Sequence, residues 1–248
     1  MTAIAICSVK HSPGTTTLAL ALACAATEAD RPIPLVVEAD PAGGDLAARL
    51  GLPVSPGLLG LAAAFRHQGS RPDVYAHAQS MPAGGCGVLG PLDAIQAHGA
   101  VATLADRLPG ALVHATAMSI LDCGRWSLSS PATPLLRSVD VTLLVLRPDV
   151  AGIEHARSQV PPLRMATSGR LGVVLAGERP YTADEVQATL NLPVLGVVPR
   201  DARSVEALCG ETSVRVARRS AVVRAARSLI DRVEPIAAAQ RDIAGAVR

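Results

Sequence analysis

The feature that most constrains this chain is an alternation: short, almost wholly apolar runs are separated by longer segments of helical period. Apolar runs of this kind form strands buried on both faces, and the segments between them form crossover helices. The pattern therefore predicts repeated βα units around a doubly wound, mostly parallel sheet with helices on both faces. Seven strands are expected, at Ala3 to Val9, Pro34 to Ala39, Cys86 to Leu89, Ser119 to Asp122, Val141 to Leu146, Leu171 to Ala176 and Val194 to Val198. Helices are expected over Thr16 to Ala29, Leu92 to Leu108, Ile153 to Val160, Ala183 to Leu190 and Ser204 to Leu208. Residues 51 to 85, rich in Gly, Pro and Ser, read as a connection with one short helix at Leu58 to Phe65. Helical period from Val216 to Val233 stops at Pro235, so one domain over 1–234 and a short helical tail over 235–248 are expected.

A chain of 248 residues, about half of them apolar, suits one such domain with a sizeable core. Its few aromatics, Phe65, Tyr75, Trp126 and Tyr181, argue against a base-stacking platform. No run reaches the ~18 apolar residues of a membrane span, and at the start the charge follows the apolar run, so the expected location is cytoplasmic. Cys7, Cys24, Cys86, Cys123 and Cys209 show no metal-ligand or redox spacing, and His67, His77, His98, His114 and His155 show no ligand spacing. Net charge is +2, too small to draw the whole molecule to a polyanion. Of the 23 basic residues all but Lys10 are arginines.

Lys10 opens the segment Lys10-His11-Ser12-Pro13-Gly14-Thr15-Thr16-Thr17, which joins the first strand to an apolar helix. Strand, tight loop and helix form the setting in which loop amides and a helix N-terminus hold phosphates. A turn capped by Ser12 or Thr15 would account for the same small residues without a ligand. Two acidic strand ends accompany the loop: Glu38-Ala39-Asp40-Pro41-Ala42-Gly43-Gly44-Asp45 and Ile120-Leu121-Asp122-Cys123-Gly124. Alone, each is an ordinary capped turn.

Taken in order and spacing, the three segments resemble the MinD/ParA family of deviant Walker A ATPases, whose loop reads Lys-Gly-Gly-x-Gly-Lys-Thr-Thr. The resemblance extends over nearly the whole chain, through Val141 to Asp149, Gly172 to Gly177 and Leu195 to Asp201. It implies a nucleotide site for ATP or ADP with Mg2+, formed by Lys10, His11, Ser12, Pro13, Gly14, Thr15, Thr16 and Thr17, with Pro199 and Asp201 beside the base. Lys10 would reach the partner subunit's phosphates. Thr16, Asp40 and Asp122 would serve magnesium, and Lys10 and Asp40 catalysis, with Asp40 orienting the attacking water.

Four positions depart from the family pattern. His11 and Ser12 replace glycines, Pro13 removes a loop N–H, and Thr15 stands where the family has its phosphate-contacting lysine. A hydroxyl supplies no charge to the γ-phosphate, so hydrolysis is expected to suffer more than binding. The family's usual Asn near the adenine is also absent, with Ala176 or Gly177 in its place.

The resemblance leaves three functions open. The first is a nucleotide-dependent homodimeric switch with slow hydrolysis, acting with a protein partner in spatial organisation or assembly. The second is a non-hydrolysing scaffold for a pilus- or secretion-type apparatus. The third is a DNA partition protein. The basic cluster Arg215, Arg218, Arg219, Arg224, Arg227 and Arg232 reads first as a solvated helix face and only second as a DNA contact. The Ala-rich tail, with Ile236, Ile243 and Val247, lacks the bulk of a membrane anchor.

Overall fold

The computed structural model describes residues 2–10, 13–27, 32–67 and 72–246. In chain order the elements are β1 (Thr2–Ser8), α1 (Thr15–Ala26), β2 (Leu35–Glu38), α2 (Leu46–Leu50), α3 (Leu58–His67), β3 (Gln79–Ser80), β4 (Cys86–Val88), α4 (Ala94–Leu104), α5 (Leu108–Ala115), β5 (Met118–Arg125), α6 (Thr133–Arg137), β6 (Val141–Leu146), α7 (Val150–Ala166), β7 (Arg170–Ala176), α8 (Ala183–Leu190), β8 (Val194–Val198), α9 (Ala202–Leu208), α10 (Val214–Arg219) and α11 (Ala221–Ala246).

Strand alternation divides the core into two layers. Ala3, Ala5 and Cys7 of β1 face one way with Leu35, Val37, Leu121 and Cys123, into a cluster shared with α3 to α8. Ile4 and Ile6 face the other way with Val36 and Ile120, into a cluster shared with α1, α2 and α9 to α11. The same two-residue period puts Glu38 and Asp122 on the α1 side of the sheet.

The sheet runs β3-β4-β2-β5-β1-β6-β7-β8, with every pair parallel except β3–β4. It has eight strands, not the expected seven. The extra strand, β3, is a two-residue antiparallel edge pairing Gln79 with Gly87 and Ser80 with Cys86, too short for alternation to reveal. The connection leaving β1 and the one leaving β5 run in opposite directions, which opens a crevice at the carboxyl ends of the central strands.

Several helix boundaries move for physical reasons. The expected helix from Leu92 to Leu108 is two helices, and Pro109 stands in the first turn of the second. Pro161 and Pro162 do not end α7, because Leu163 and Ala166 are still buried while the carbonyls freed at Arg157 and Ser158 lie on exposed residues. Pro235 likewise sits inside α11, on its exposed side, and Ala237 beyond it is fully buried. The last turns are held further by Gln240 donating to the Ser168 carbonyl and by Arg241 pairing with Asp140 at 2.9 Å. Asp140 also accepts from the Ala3 amide, so α11 ties the amino ends of β1 and β6 together. The helix α3 is anchored on the core by Leu58, Leu61, Ala62 and Phe65, all buried, and the stretch before it is held by Gln79 donating to the carbonyls of Pro53 and Pro56. Ala29, the expected end of the first helix, lies outside the described residues, as do Val247 and the side chain of Ile243. Among the described residues no helix is long and apolar enough to cross a membrane.

Glu38 is the polar tie between β2 and its neighbours. Its Oε1 accepts the amides of Asp45 and Leu46, its Oε2 that of Gly90, and it is 2% exposed. Gly44 fits because a Cβ there would lie 2.4 Å from Glu38 Oε2. Burial pushes the Glu38 carboxyl up to about 7, against the pull of its amide donors, with Asp122 adding to the rise.

A carboxyl whose folded value is raised binds more protons when folded. Its stabilisation is therefore complete below the ordinary value of 4.5 and is lost as pH rises through about 7. Glu38→Gln keeps a carbonyl for Asp45 and Leu46 but turns an NH2 toward the Gly90 N–H. We expect it to cost about 1–3 kcal/mol at pH 5, with the gap to wild type narrowing by pH 8. Urea unfolding in chelator-containing buffer at both pH values reads the difference, and a gap that widens with pH would refute the assignment.

Candidate nucleotide site

The first strand delivers Lys10 to the carboxyl edge of the sheet, and α1 begins five residues later at Thr15. His11 and Ser12 lie outside the described residues. Gly14, the N-cap of α1, has φ 113° and ψ 29°, a left-handed conformation that favours glycine. It offers no side-chain hydrogen bond, and the first turn carries no acidic residue. By contrast α4, α7, α8 and α9 are capped by Asp93, Asp149, Thr182 and Asp201. The positive end of α1, buried along most of its length, is thus left to face the crevice.

Facing this end is Asp122 on β5, fully buried. Its Oδ1 accepts from the Gly124 amide at 3.2 Å, while its Oδ2 has no hydrogen-bond partner. Burial pushes the carboxyl up to about 6, opposed first by the Thr16 hydroxyl, then by the Gly124 amide and the Thr15 hydroxyl, with Asp40 raising it further. Thr15 is itself buried and turns its hydroxyl toward this carboxylate. Thr16 and Thr17 are half-buried at the mouth.

Asp40 follows β2 and approaches Asp122 through Gly124. A Cβ on Gly124, at φ 56°, would fall 1.9 Å from Asp40 Oδ2, so only glycine allows this contact. Asp40 Oδ1 accepts from the Ala42 amide at 2.8 Å. Burial raises the Asp40 carboxyl, the Ala42 amide and Arg125 lower it, and Asp45 raises it. Beneath the carboxylates lie Cys7 and Cys123. Burial, aided by Asp122, pushes Cys7 up to about 12, so this thiol stays protonated and behaves as a small apolar group.

These residues fit a hydrated magnesium ion. An orphaned, buried carboxylate oxygen beside a threonine hydroxyl is an incomplete polar set, and Mg2+ commonly takes one or two carboxylates, keeps several waters and uses substrate phosphates. Among the described residues no group of three or more His, Cys, Asp or Glu forms an all-protein metal cage.

Beside α1, a cavity of about 480 Å3 runs from Pro13, Gly14 and Thr17 to Pro199, Arg200 and Asp201. Its floor is apolar, with Leu18, Val145 and Val174 among its side chains, and its volume suits a small organic ligand. Pro199 and Asp201, expected near a base, do line it. Asp201 also has a structural task, capping α9 by accepting from the Arg203 amide and the Ser204 hydroxyl. Lys10 does not line this cavity. It stands in a separate crevice with Arg147, Asp149 and Gly152.

Sequence reasoning missed Arg125, Arg147 and Arg200 as members of the site. Arg125 is the last residue of β5, Arg147 directly follows β6, and Arg200 lies in the Pro199-Arg200-Asp201 loop after β8, so position relative to strand ends was the available signal. The Arg200 stem passes 3.6 Å from where a Gly177 Cβ would be, at φ 104°.

No protein-family model matches the sequence, and no curated protein matches it either. Solved structures do match. The cell division ATPase MinD of Pyrococcus furiosus is 20% identical with a TM-score of 0.74, over 95% of this chain and 99% of that one. MinD of Pyrococcus horikoshii, solved with Mg-ADP, is 19% identical with a TM-score of 0.74, over 96% and 98%. A ParA family ATPase of Chlorobium tepidum is 18% identical with a TM-score of 0.74, over 91% and 97%. Identities this low speak to architecture alone, and the architecture of this chain is the fold of MinD and the ParA-family ATPases.

Proposed function

We propose that the protein is a nucleotide-responsive switch that binds ATP or ADP with Mg2+ at the carboxyl edge of the sheet, pairs with a second copy, and organises or assembles a larger machine with slow hydrolysis. The observation that carries this reading is the alignment of the uncapped α1 N-terminus, the orphaned Asp122 oxygen and the 480 Å3 cavity along one crevice. The likeness to MinD solved with Mg-ADP supports the choice of ligand.

In this reading the base and ribose enter the cavity between Gly14 and Pro199, and the phosphates meet the amides at the start of α1. Thr16 and Asp122 would hold the magnesium ion, Asp122 through water, with Asp40 beside them. The ion would neutralise charge on the phosphates. Asp40, with its Oδ2 free of the Ala42 bond, orients water next to Gly124. Lys10, outside its own subunit's cavity, is free to serve the partner's phosphates.

Thr15 favours a second reading, a non-hydrolysing scaffold for a pilus- or secretion-type machine. Its hydroxyl is directed to Asp122 and brings no cation to the phosphates. No comparable feature of the fold favours the DNA-partition reading over a solvated Arg-rich face.

Calorimetric titration with ATP and Mg2+ tests the binding step. Wild-type protein is expected to bind, and Asp122→Ala to bind at least about tenfold more weakly, the loss of one charge-assisted contact being worth 1.5–3 kcal/mol. No binding at millimolar ATP would sink the switch. Thr15→Lys restores a cation at the phosphates, and we expect tighter ATP binding together with faster phosphate release. If that variant binds more tightly yet releases no phosphate, the scaffold reading gains and slow hydrolysis fails.

A further inference from the structure

A second cavity lies at the opposite end of the sheet from the nucleotide site. About 520 Å3 in volume, it opens at the amino ends of β7 and β8, where α7 and α8 stop and α11 passes. A bulge shapes its floor. Val173 pairs with Val194 and Val174 with Gly196, so Leu195 is an extra residue on β8. Its side chain lies over Gly172, where a Cβ would fall 2.4 Å from Leu195 Cδ1, and its carbonyl accepts from Arg232 at 2.9 Å. Leu171 and Leu192 enter the cavity wall from one layer of the core, Leu195 and Ile236 from the other.

Two arginines, Arg164 and Arg170, complete this apolar lining, and among the described residues no acidic side chain joins them. Arg164, in the last turn of α7, donates to the Asn191 carbonyl just past α8 and so ties two helix ends together. Arg170 is exposed at the start of β7, and its backbone amide donates to the Asp140 carbonyl. Its guanidinium makes no hydrogen bond or ion pair among the described residues.

Apolar walls with a few convergent polar groups suit a small-molecule ligand, and the local electrostatics select its head group. The Arg170 guanidinium is a planar fork of donors that matches a carboxylate or a phosphate. The carbonyl ends of α7 and α8 border the same cavity, and their partial negative charge works against a second negative charge on the ligand. A monoanion is therefore favoured over a phosphate dianion. We infer that this cavity binds a small amphiphilic carboxylate, an aliphatic chain of medium length with one acid group. Arg170 meets the carboxylate, and Leu171, Leu192, Leu195 and Ile236 lie along the chain. The cavity shares no lining residue with the nucleotide cavity, so its occupancy does not depend on the proposed switch.

Calorimetric titration of the full chain with octanoate at pH 8 tests this. A single site per chain is expected, with Arg170→Glu weakening binding at least about tenfold and Ile236→Trp, which fills the space, doing the same. Unchanged thermal unfolding of both variants guards against misfolding. 1-Octanol and octyl phosphate separate the contributions of charge, and both should bind less tightly than octanoate. Arg200→Glu, in the nucleotide cavity, should leave octanoate binding unchanged. Absence of saturable binding at millimolar octanoate would overturn the inference, as would binding that survives both Arg170→Glu and Ile236→Trp. Loss in Arg200→Glu alone would place octanoate in the nucleotide cavity and overturn it too. Octanol or octyl phosphate binding as tightly as octanoate would refute recognition of a single negative charge. ATP titration of the same samples reads the switch separately.

Discussion

Asp122 lies within the fully buried stretch of β5 with one carboxylate oxygen unpaired, and the surrounding structure is arranged to sustain that cost. Two other carboxylates stand close by, Glu38 in register with it on β2 and Asp40 just beyond. Like charges in a dry crevice repel and lose hydration together. The fold answers with backbone amides: three on Glu38, one on Asp40 and one on Asp122. Glycines at 44, 90 and 124 let the backbone come near enough to donate or to make room. The Asp122 oxygen left over is the part of the arrangement that folding alone does not satisfy.

The placement of positive charge is the counterpart. Among the described residues, the fixed positive element inside the crevice is the N-terminal end of α1, because Thr15 contributes a hydroxyl where a cation would complete a phosphate cradle. The side-chain cations stand around it: Lys10 with Arg147 in one crevice, Arg125 near Asp40, and Arg200 at the mouth of the cavity. In the reading proposed above, a site built this way would hold its ligand largely through backbone dipoles, leaving the cations of the rim for other contacts.

Much of this was legible in the residues. Strands β6 and β8 and helix α8 fall where hydrophobic period places them, because buried parallel strands write near-continuous apolar runs. Asp40, Asp122 and the loop around Gly14 converge because strand ends in such a sheet share one edge. What escaped were features set by tertiary context. Pro161, Pro162 and Pro235 look like helix ends in isolation, yet burial of Leu163, Ala166 and Ala237 carries the helices through them. β3 is too short to have a period. The division of labour between Lys10, outside the cavity, and Arg200, lining it, depends on where loops fold back, which spacing does not encode.

The sheet order also bears on how the chain reaches its native state. β1 precedes its neighbours in the chain but sits at the centre, paired with β5 and β6 more than a hundred residues later. Until residues up to Arg125 are available, the alternating Ala, Ile and Cys side chains of β1 have neither neighbouring strand, and its second edge stays unpaired until Leu146. Long-range parallel pairing of this kind is slow and exposes apolar surface while it waits. A strand buried along its whole length in the finished sheet thus waits more than a hundred residues for its neighbours, and early docking of the apolar α1 against it offers the nearest local shelter.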